Sequence, residues 1–517
     1  MTLEKTHAST QKLALPLACI TLLALTACGN DPTGATGDTG GNGNNNDTVP
    51  YTAGVFPAYK TLAAQCTTAA AQNNFLRSWI NDTYLWYKEV PDLNPNSDSD
   101  VLDFFDKLKT PAITPSGADK DKFHFTYDTN DWNALSQSGV SAGYGAQWFL
   151  ISASPPRDIR VAYVDPSTPA SAQALKRGDS VISVDGADAV NGSSQAIVDT
   201  LNAGLFPANV NETHTIVLHP VSGGPDYTAT LTSANVTSTP VQNAHVITTA
   251  GGIKVGYILF NDHIATAESQ LVAAVNQLKT AGVTELVLDI RYNGGGYLYI
   301  ASELAYMIAG NTRTSGKTFE RLTFNDKYPS TDPITGDPLD PVPFFSTDSH
   351  NATLPTLDLP RVFVLTGSGT CSASESIINS LRGVNLDVEQ IGGTTCGKPY
   401  GFYPQDNCGT TYFAIQFKGV NDAGFGDYTD GFSPDNTVTA AGTKIPGCSV
   451  IDDFSHDLGD SAEARLAAAL SLAGGGMCPT PPSGPVKLSK PLFSTQPVEG
   501  IMVRSPLREN RILGSHH

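Results

Sequence analysis

Arg361-Val-Phe-Val-Leu-Thr-Gly-Ser-Gly-Thr-Cys-Ser-Ala-Ser-Glu-Ser-Ile-Ile-Asn-Ser-Leu381 is the stretch on which the reading of this chain turns. Arg361 to Leu365 is a short β-branched and aromatic run that predicts a strand, Thr366 to Glu375 is rich in Gly, Ser and Thr, and Ser376 to Leu381 predicts a helix. A serine at a strand-to-helix turn is exposed, and the backbone N–H groups beside it point toward whatever it attacks. Ser372 is therefore the candidate nucleophile.

Outward from this stretch, strands and helices alternate from about 245 to 475: a strand over Ile253 to Phe260, a helix over Ala265 to Ala281, a strand over Glu285 to Ile290 and a helix over Tyr299 to Ile308. Such alternation predicts a layered α/β domain with at least part of its sheet parallel and its active groups at strand ends. Residues 138 to 237 have another character. Short β-branched runs (Ile159 to Val164, Val181 to Val184, His214 to His219) alternate with turn signals and one helical stretch near Pro169 to Leu175. Over 51 to 135, apolar residues at helical spacing (Phe75, Ile80, Tyr84, then Val101, Phe104, Phe105, Leu108) predict a small helical domain, with Asp98 or Ser99 capping its second helix. The chain is thus a multidomain α/β protein, as 517 residues require.

Both ends are read separately. Residues 1 to 28 have the layout of an export signal, with Lys5 and Lys12 ahead of the apolar Leu13 to Leu25. Leu25-Thr-Ala-Cys28 resembles a lipobox, which implies lipidation of Cys28 and a cell-envelope location, outer membrane included; an ordinary secretory signal is the alternative. Residues 29 to 50, polar and Gly/Asn-rich, read as a disordered tether, since EF-hand spacing is missing. Residues 476 to 517 read as a Pro/Ser-rich tail whose Arg504, Arg508 and Arg511 are solvated charge. A net charge of −19 repels phosphate backbones and argues against nucleic acid as a partner. Beyond Cys19 and Cys28, six cysteines remain, enough for up to three disulfides in 15 connectivities, with Cys396–Cys408 the expected pair. Their spacing is not that of zinc ligands.

Two resemblances sharpen this reading. Val164-Asp-Pro-Ser-Thr-Pro-Ala-Ser-Ala-Gln-Ala-Leu-Lys-Arg-Gly-Asp-Ser-Val-Ile-Ser-Val-Asp-Gly186 is similar to the core of a PDZ domain, which implies that Gly143, Tyr144, Gly145 and Ala146 form its carboxylate-binding loop. The alternative is a PDZ fold used only as a structural lever. Cys371-Ser-Ala-Ser-Glu375, followed 26 residues after Ser372 by Gly397-Lys398, resembles the C-terminal processing peptidases of family S41. Leu288-Asp-Ile-Arg-Tyr-Asn-Gly-Gly-Gly296 and Gly431-Phe-Ser-Pro-Asp435 match further elements of that family. The resemblance implies a catalytic domain of the ClpP/crotonase-like type over 245 to 475, with Ser372 as nucleophile and Lys398 as general base.

The implied chemistry is peptide-bond hydrolysis in protein or peptide substrates, with no metal or other cofactor. A lysine with pKa near ~10.4 is protonated at neutral pH, so burial, worth up to ~3–5 units, must make Lys398 basic. Backbone N–H groups of Ala373 and Gly295 are the expected oxyanion donors. Where many family members have a glutamine four residues after the lysine, this chain has Phe402, which leaves Tyr400, Gln405 and Gln416 as orienting candidates. Ser368 and Ser374 read as loop and cap residues, Glu375 as a first-turn residue that suits the helix dipole, and His124 and His263 as pocket or surface residues. A catalytically inactive, PDZ-containing peptide-binding lipoprotein is the competing reading. An esterase is not, because the Ser372 segment lacks a Gly-x-Ser-x-Gly elbow.

Overall fold

Alternation of buried side chains on both faces makes the strand Lys254–Phe260 a central one: Ile258 and Phe260 face one hydrophobic core, and Val255, Tyr257 and Leu259 face another. The computed structural model describes residues 48–152, 155–440, 442–482 and the strand at 511–512. Its main sheet runs in the order Val241–Thr248, Lys254–Phe260, Glu285–Asp289, Arg361–Thr366, Asp387–Gly392, Gly447–Ser449. The first pair is antiparallel and all others are parallel. Helices Ala267–Ala281, Leu298–Ala309 and Ala373–Gly383 bury their apolar stripes in the first core, while Ala464–Ala473 covers the opposite face. Parallel strands buried on both faces carry their functional residues at the C-terminal edge, where the loops to the next helices gather.

Residues 140–237 form a smaller antiparallel sheet in the order Ala146–Ser152, Asp158–Val164, Ser180–Val184, Thr213–His219, Tyr227–Thr232. Helix Gln195–Leu205 packs on it through Leu201 and Leu205. Val140–Gly143 pairs separately with Ala234–Thr237. The helical stretch expected to reach Leu175 ends at Ala172, capped at its start by Thr168.

In the N-terminal part, helix Ala69–Thr83 buries Phe75, Leu76, Trp79 and Ile80. The second helix, Val101–Asp106, is capped by Asp100, which accepts from the N–H groups of Leu102 and Asp103; the expected caps Asp98 and Ser99 lie two residues and one residue too early for that geometry. This part shares one apolar core with Tyr400, Tyr412 and Ile415 of the α/β region. Phe125–Asp128 also pairs with Thr410–Phe413. Among the described residues three disulfides are formed, Cys66–Cys408, Cys371–Cys396 and Cys448–Cys478. The expected Cys396–Cys408 pair is therefore wrong: Cys396 faces the nucleophile turn, and Cys408 faces the N-terminal part. Cys28 and residues 29–47 lie outside the described residues.

Candidate active site

Ser372 stands between the strand Arg361–Thr366 and the helix Ala373–Gly383, whose N-cap it is. Its backbone has φ 58° and ψ −114°. A non-glycine residue held there costs on the order of 1–3 kcal/mol and persists only when its surroundings over-determine it. Here they do: Ser372 N–H donates to Glu375 Oε2 at 3.0 Å, its carbonyl accepts from Ser376 N–H at 2.9 Å, and Cys371 is tied both to Asn293 O through its N–H and to Cys396 through sulfur.

Lys398 approaches from the loop after Asp387–Gly392. Gly397 before it has φ +81°, and a Cβ there would stand 2.2 Å from Thr429 O, so glycine is required for the lysine to enter. Lys398 is fully buried. Its Nζ lies 4.6 Å from the ring centroid of Phe402 and 4.6 Å from that of Phe123. One wall of the lysine's pocket thus comes from the N-terminal part. Phe402, four residues after Lys398, presents a ring face to the amine. Two of the alternative orienting residues point elsewhere: Gln416 joins Tyr403 N–H and Thr83 Oγ1, and Gln405 donates to the Asp406 carbonyl. Tyr400 packs edge-on against Trp86.

Glu375 joins the two halves. Its Oε2 accepts from Ser372 N–H and, at 2.8 Å, from Lys398 N–H; its Oε1 accepts from Gly397 N–H at 2.9 Å and from the Thr395 hydroxyl. Burial pushes the carboxyl above its usual range, against the opposing pull of those four donors. The helix dipole named from sequence is a small part of its role, because three of its partners come from residues 395–398.

Asn293 organises the glycine run. Its carbonyl accepts from Cys371 N–H and Ser374 Oγ, its Oδ1 accepts from Gly295 N–H at 2.9 Å, and its Nδ2 donates to Phe260 O. Gly295 N–H is thus turned to Asn293 and away from the role of oxyanion donor expected of it. Ala373 N–H remains at the first turn of the nucleophile's helix. His263 donates from Nδ1 to Asn293 Oδ1 at 2.9 Å, and burial lowers its pKa to about 3, so the ring is neutral. His124 contacts Phe105 O through Nε2 and stacks on the Phe105 ring, within the N-terminal core. Among the described residues, one cluster of metal-ligand type is present, Cys371, Glu375 and Cys396, and its two sulfurs are joined in the disulfide.

Behind the glycine run lies a charge network that the sequence reading did not anticipate. Arg291 binds Asp289, Glu463 and Asp452; Arg177, from the smaller sheet, binds Asp452 at 2.7 Å and the Tyr292 hydroxyl at 2.7 Å. Burial pushes the Asp452 carboxyl up, but Arg465, Arg291 and Arg177 together hold it well below the usual range. The only sequence signal was the number of charges near Leu288–Gly296, since Asp452 and Glu463 are more than 150 residues away.

Gly143–Ala146 line a groove of about 610 Å³ together with Trp148, Leu205 and Phe206. Tyr144 Oη donates to Gly204 O and Trp148 Nε1 to Leu205 O, which fixes the spacing between strand Ala146–Ser152 and helix Gln195–Leu205. The strand ends its sheet's order, so one backbone edge faces the groove.

The model described as Peptidase family S41 matches residues 254–404, and that of the Peptidase S41 N-terminal domain matches residues 71–127. A carboxyl-terminal-processing protease of Picosynechococcus is 28% identical over 271 residues, 51% of this chain and 56% of that protein. The chloroplastic C-terminal processing peptidase of Tetradesmus obliquus is 33% identical over 165 residues, 29% of this chain and 34% of that one. The chain thus matches about half and a third of the length of these relatives. A solved structure from Bacteroides fragilis, named as an S41 protease, shares the fold with TM-score 0.58 and 22% identity, over 78% of this chain and 97% of the other. Asn293, Ser372 and Lys398 lie in the first matched segment and Phe123 in the second; over these segments the chain is similar to S41 peptidases, with C-terminal processing proteases among the relatives it matches.

Proposed function

We propose that this protein is an exported, lipid-anchored serine endopeptidase in which Ser372 is the nucleophile and Lys398 the general base. The observation that carries the reading is Glu375, whose one carboxylate oxygen accepts from the backbone N–H groups of both residues. An ordinary structural serine and lysine have no need of a common clamp. Burial between two rings withholds water and disfavours the ammonium at rest. The two ring faces offset part of that cost whenever the amine is charged, by roughly 0.5–2 kcal/mol each, so the amine can both accept the Ser372 proton and hold it. Ser372 Oγ then adds to the scissile carbonyl, Lys398 returns the proton to the leaving amine, and water releases the acyl-enzyme. Ala373 N–H is the donor best placed for the oxyanion. The groove at Gly143–Ala146 serves as a PDZ-type site in which the substrate's C-terminal segment adds to the strand Ala146–Ser152.

Complete burial of Ser372 and Lys398, with Phe402 in place of glutamine, favours the second reading of a peptide-binding protein without catalysis. Casein hydrolysis separates the two. Wild-type activity that disappears in Ser372→Ala and Lys398→Ala supports the peptidase; equal activity in wild type and Ser372→Ala refutes the assignment.

A further inference from the structure

Phe123 reaches Lys398 from a segment that has no regular structure of its own. Residues 121–124 precede the strand Phe125–Asp128 and form neither helix nor strand. Even so, the segment is firmly held. Lys122 Nζ donates to Cys396 O at 3.0 Å, two residues before the candidate base. His124 Nε2 meets Phe105 O at 3.0 Å, and its ring stacks on that of Phe105 with centroids 3.9 Å apart. Between them Phe123, 4% exposed, sets its ring face 4.6 Å from Lys398 Nζ.

Asp121 ties these contacts together from a site that is 2% exposed. Its Oδ1 accepts from Phe123 N–H at 2.9 Å, the two-residue reach by which an aspartate fixes a turn. Its Oδ2 accepts from Tyr84 Oη at 2.6 Å and stands 3.6 Å from His124 Nδ1. Tyr84 is the C-cap of helix Ala69–Thr83, and its hydroxyl oxygen accepts from Thr110 N–H at 3.2 Å. The turn thus hangs from the end of that helix. Burial pushes the Asp121 carboxyl up, but His124, Tyr84 and the Phe123 N–H together hold it below its usual range, so it is ionised at neutral pH. A buried charge is a costly way to hold a turn that has no other task.

Resting on the peptidase reading above, we propose that Asp121 is a positioning residue for the general base: it holds the backbone of Phe123 so that the ring stays over Lys398 Nζ and keeps water from the amine. It acts through the ring and not through its own charge, and the two modes differ in sign. A displaced ring admits water, relieving a desolvation worth up to ~3–5 pH units when complete, which outweighs the loss of one ring face, worth about 0.4–1.5 units. Lys398 then keeps its proton to higher pH. Loss of a nearby negative charge with the ring in place destabilises the ammonium and works the other way. The remaining charged or titratable groups around Lys398 are Glu375 on the nucleophile's helix, Lys122 and His124 beside Phe123, Tyr400 on the strand that follows, and Asp427 and Asp430 on the loop against Gly397. All six stay unaltered in the variants below.

The test is the pH dependence of kcat/KM, whose acid limb reports the base of the free enzyme, measured on the full chain with labelled casein below saturation. Asp121→Ala removes the acceptor of the Phe123 N–H and should move that limb up by about one pH unit or more, with about tenfold less activity on the limb and a native far-ultraviolet circular dichroism spectrum. Phe123→Ala should reproduce the rise. Asp121→Asn keeps an oxygen for the N–H without the charge and should restore the wild-type limb. Where Asp121→Ala does not fold, Tyr84→Phe, which removes the donor to Oδ2, takes its place with a smaller rise. A limb that stays in place in Asp121→Ala or its substitute, while casein hydrolysis still needs Ser372, overturns the inference and leaves the peptidase reading standing. A limb that falls in both Asp121 variants assigns the effect to charge and overturns it as well. Casein hydrolysis absent from wild type, or equal in Ser372→Ala, overturns the peptidase reading and the inference with it.

Discussion

Glu375→Gln is the most informative single substitution, because it alters shape by almost nothing and removes half of an acceptor. In the native site each carboxylate oxygen receives two donors, Ser372 and Lys398 N–H on Oε2, Gly397 N–H and the Thr395 hydroxyl on Oε1. An amide offers one oxygen. Whichever way the glutamine turns, its NH₂ group faces two donors that lose their acceptor in a fully buried site. A hydrogen bond to a charged group contributes about 1.5–3 kcal/mol, so two lost bonds amount to roughly 3–6 kcal/mol. Part of this falls on stability, and part on catalysis through the strained turn at Ser372. If half falls on the transition state, kcat drops about tenfold to a hundredfold, since 1.36 kcal/mol is a factor of ten. Casein or a chromogenic peptide gives kcat and KM, and a urea melt gives the stability share. The reasoning predicts lower kcat with KM nearly unchanged, together with a loss of about 1–3 kcal/mol in unfolding free energy. A Glu375→Gln enzyme within threefold of wild-type kcat at unchanged stability refutes it, and with it the idea that one carboxylate aligns the dyad.

Asn293→Ala frees the N–H of Gly295 and removes the partner of His263, so kcat should fall at least tenfold while the far-ultraviolet circular dichroism stays native. Glu303 is pushed up to about 10 by burial and, after that, by Glu268, so the folded state holds a proton that the unfolded chain releases above its ordinary value of 4.5. Its contribution to stability is complete below that value, declines with rising pH and is gone above about 10; melts from pH 5 to 9 should show Glu303→Gln gaining on wild type as pH rises. Arg177→Ala removes a buried partner of Asp452 and the contact to Tyr292, with an expected loss of about 3–5 kcal/mol in a urea melt and slower casein hydrolysis. Replacing both Cys371 and Cys396 by serine opens a 25-residue crosslink, with an expected loss of about 3 kcal/mol and a reduced kcat.

How much of this was legible in the sequence depended on distance along the chain. Ser372 could be singled out as a candidate because its strand, turn and helix are contiguous, and Lys398 because its glycine and spacing accompany it. Glu375 was seen, but its meaning was not: its partners at 395–398 reach it through a turn whose path no local pattern encodes. The glycine run was singled out for close approach to substrate, yet choosing Gly295 as a donor required knowing where Asn293 points. Asp100 replaced Asp98 and Ser99 as a cap because all three are capping residue types, and only backbone geometry chooses among them. Helix Gln195–Leu205 was overlooked among strand signals, and helix Ala464–Ala473, rich in alanine, shows little contrast between its faces. Cysteine pairing was beyond reach, as 15 arrangements fit six cysteines equally.

The shared core of the N-terminal part sets an order on the making of the molecule. Phe75, Trp79, Phe105 and Phe123 complete their packing against Tyr400, Tyr412 and Ile415, and Cys66 finds its partner 342 residues later. A chain emerging from its N-terminus must hold these rings unpacked until nearly four-fifths of it has been synthesised. Phe123, which walls the pocket of Lys398, belongs to the same late event. The groove-bearing sheet of residues 140–237 needs no such wait, since its strands pair among themselves. A nascent chain would thus complete its groove-bearing sheet before the surroundings of Ser372 and Lys398 are closed, which happens only when its earliest and latest segments meet.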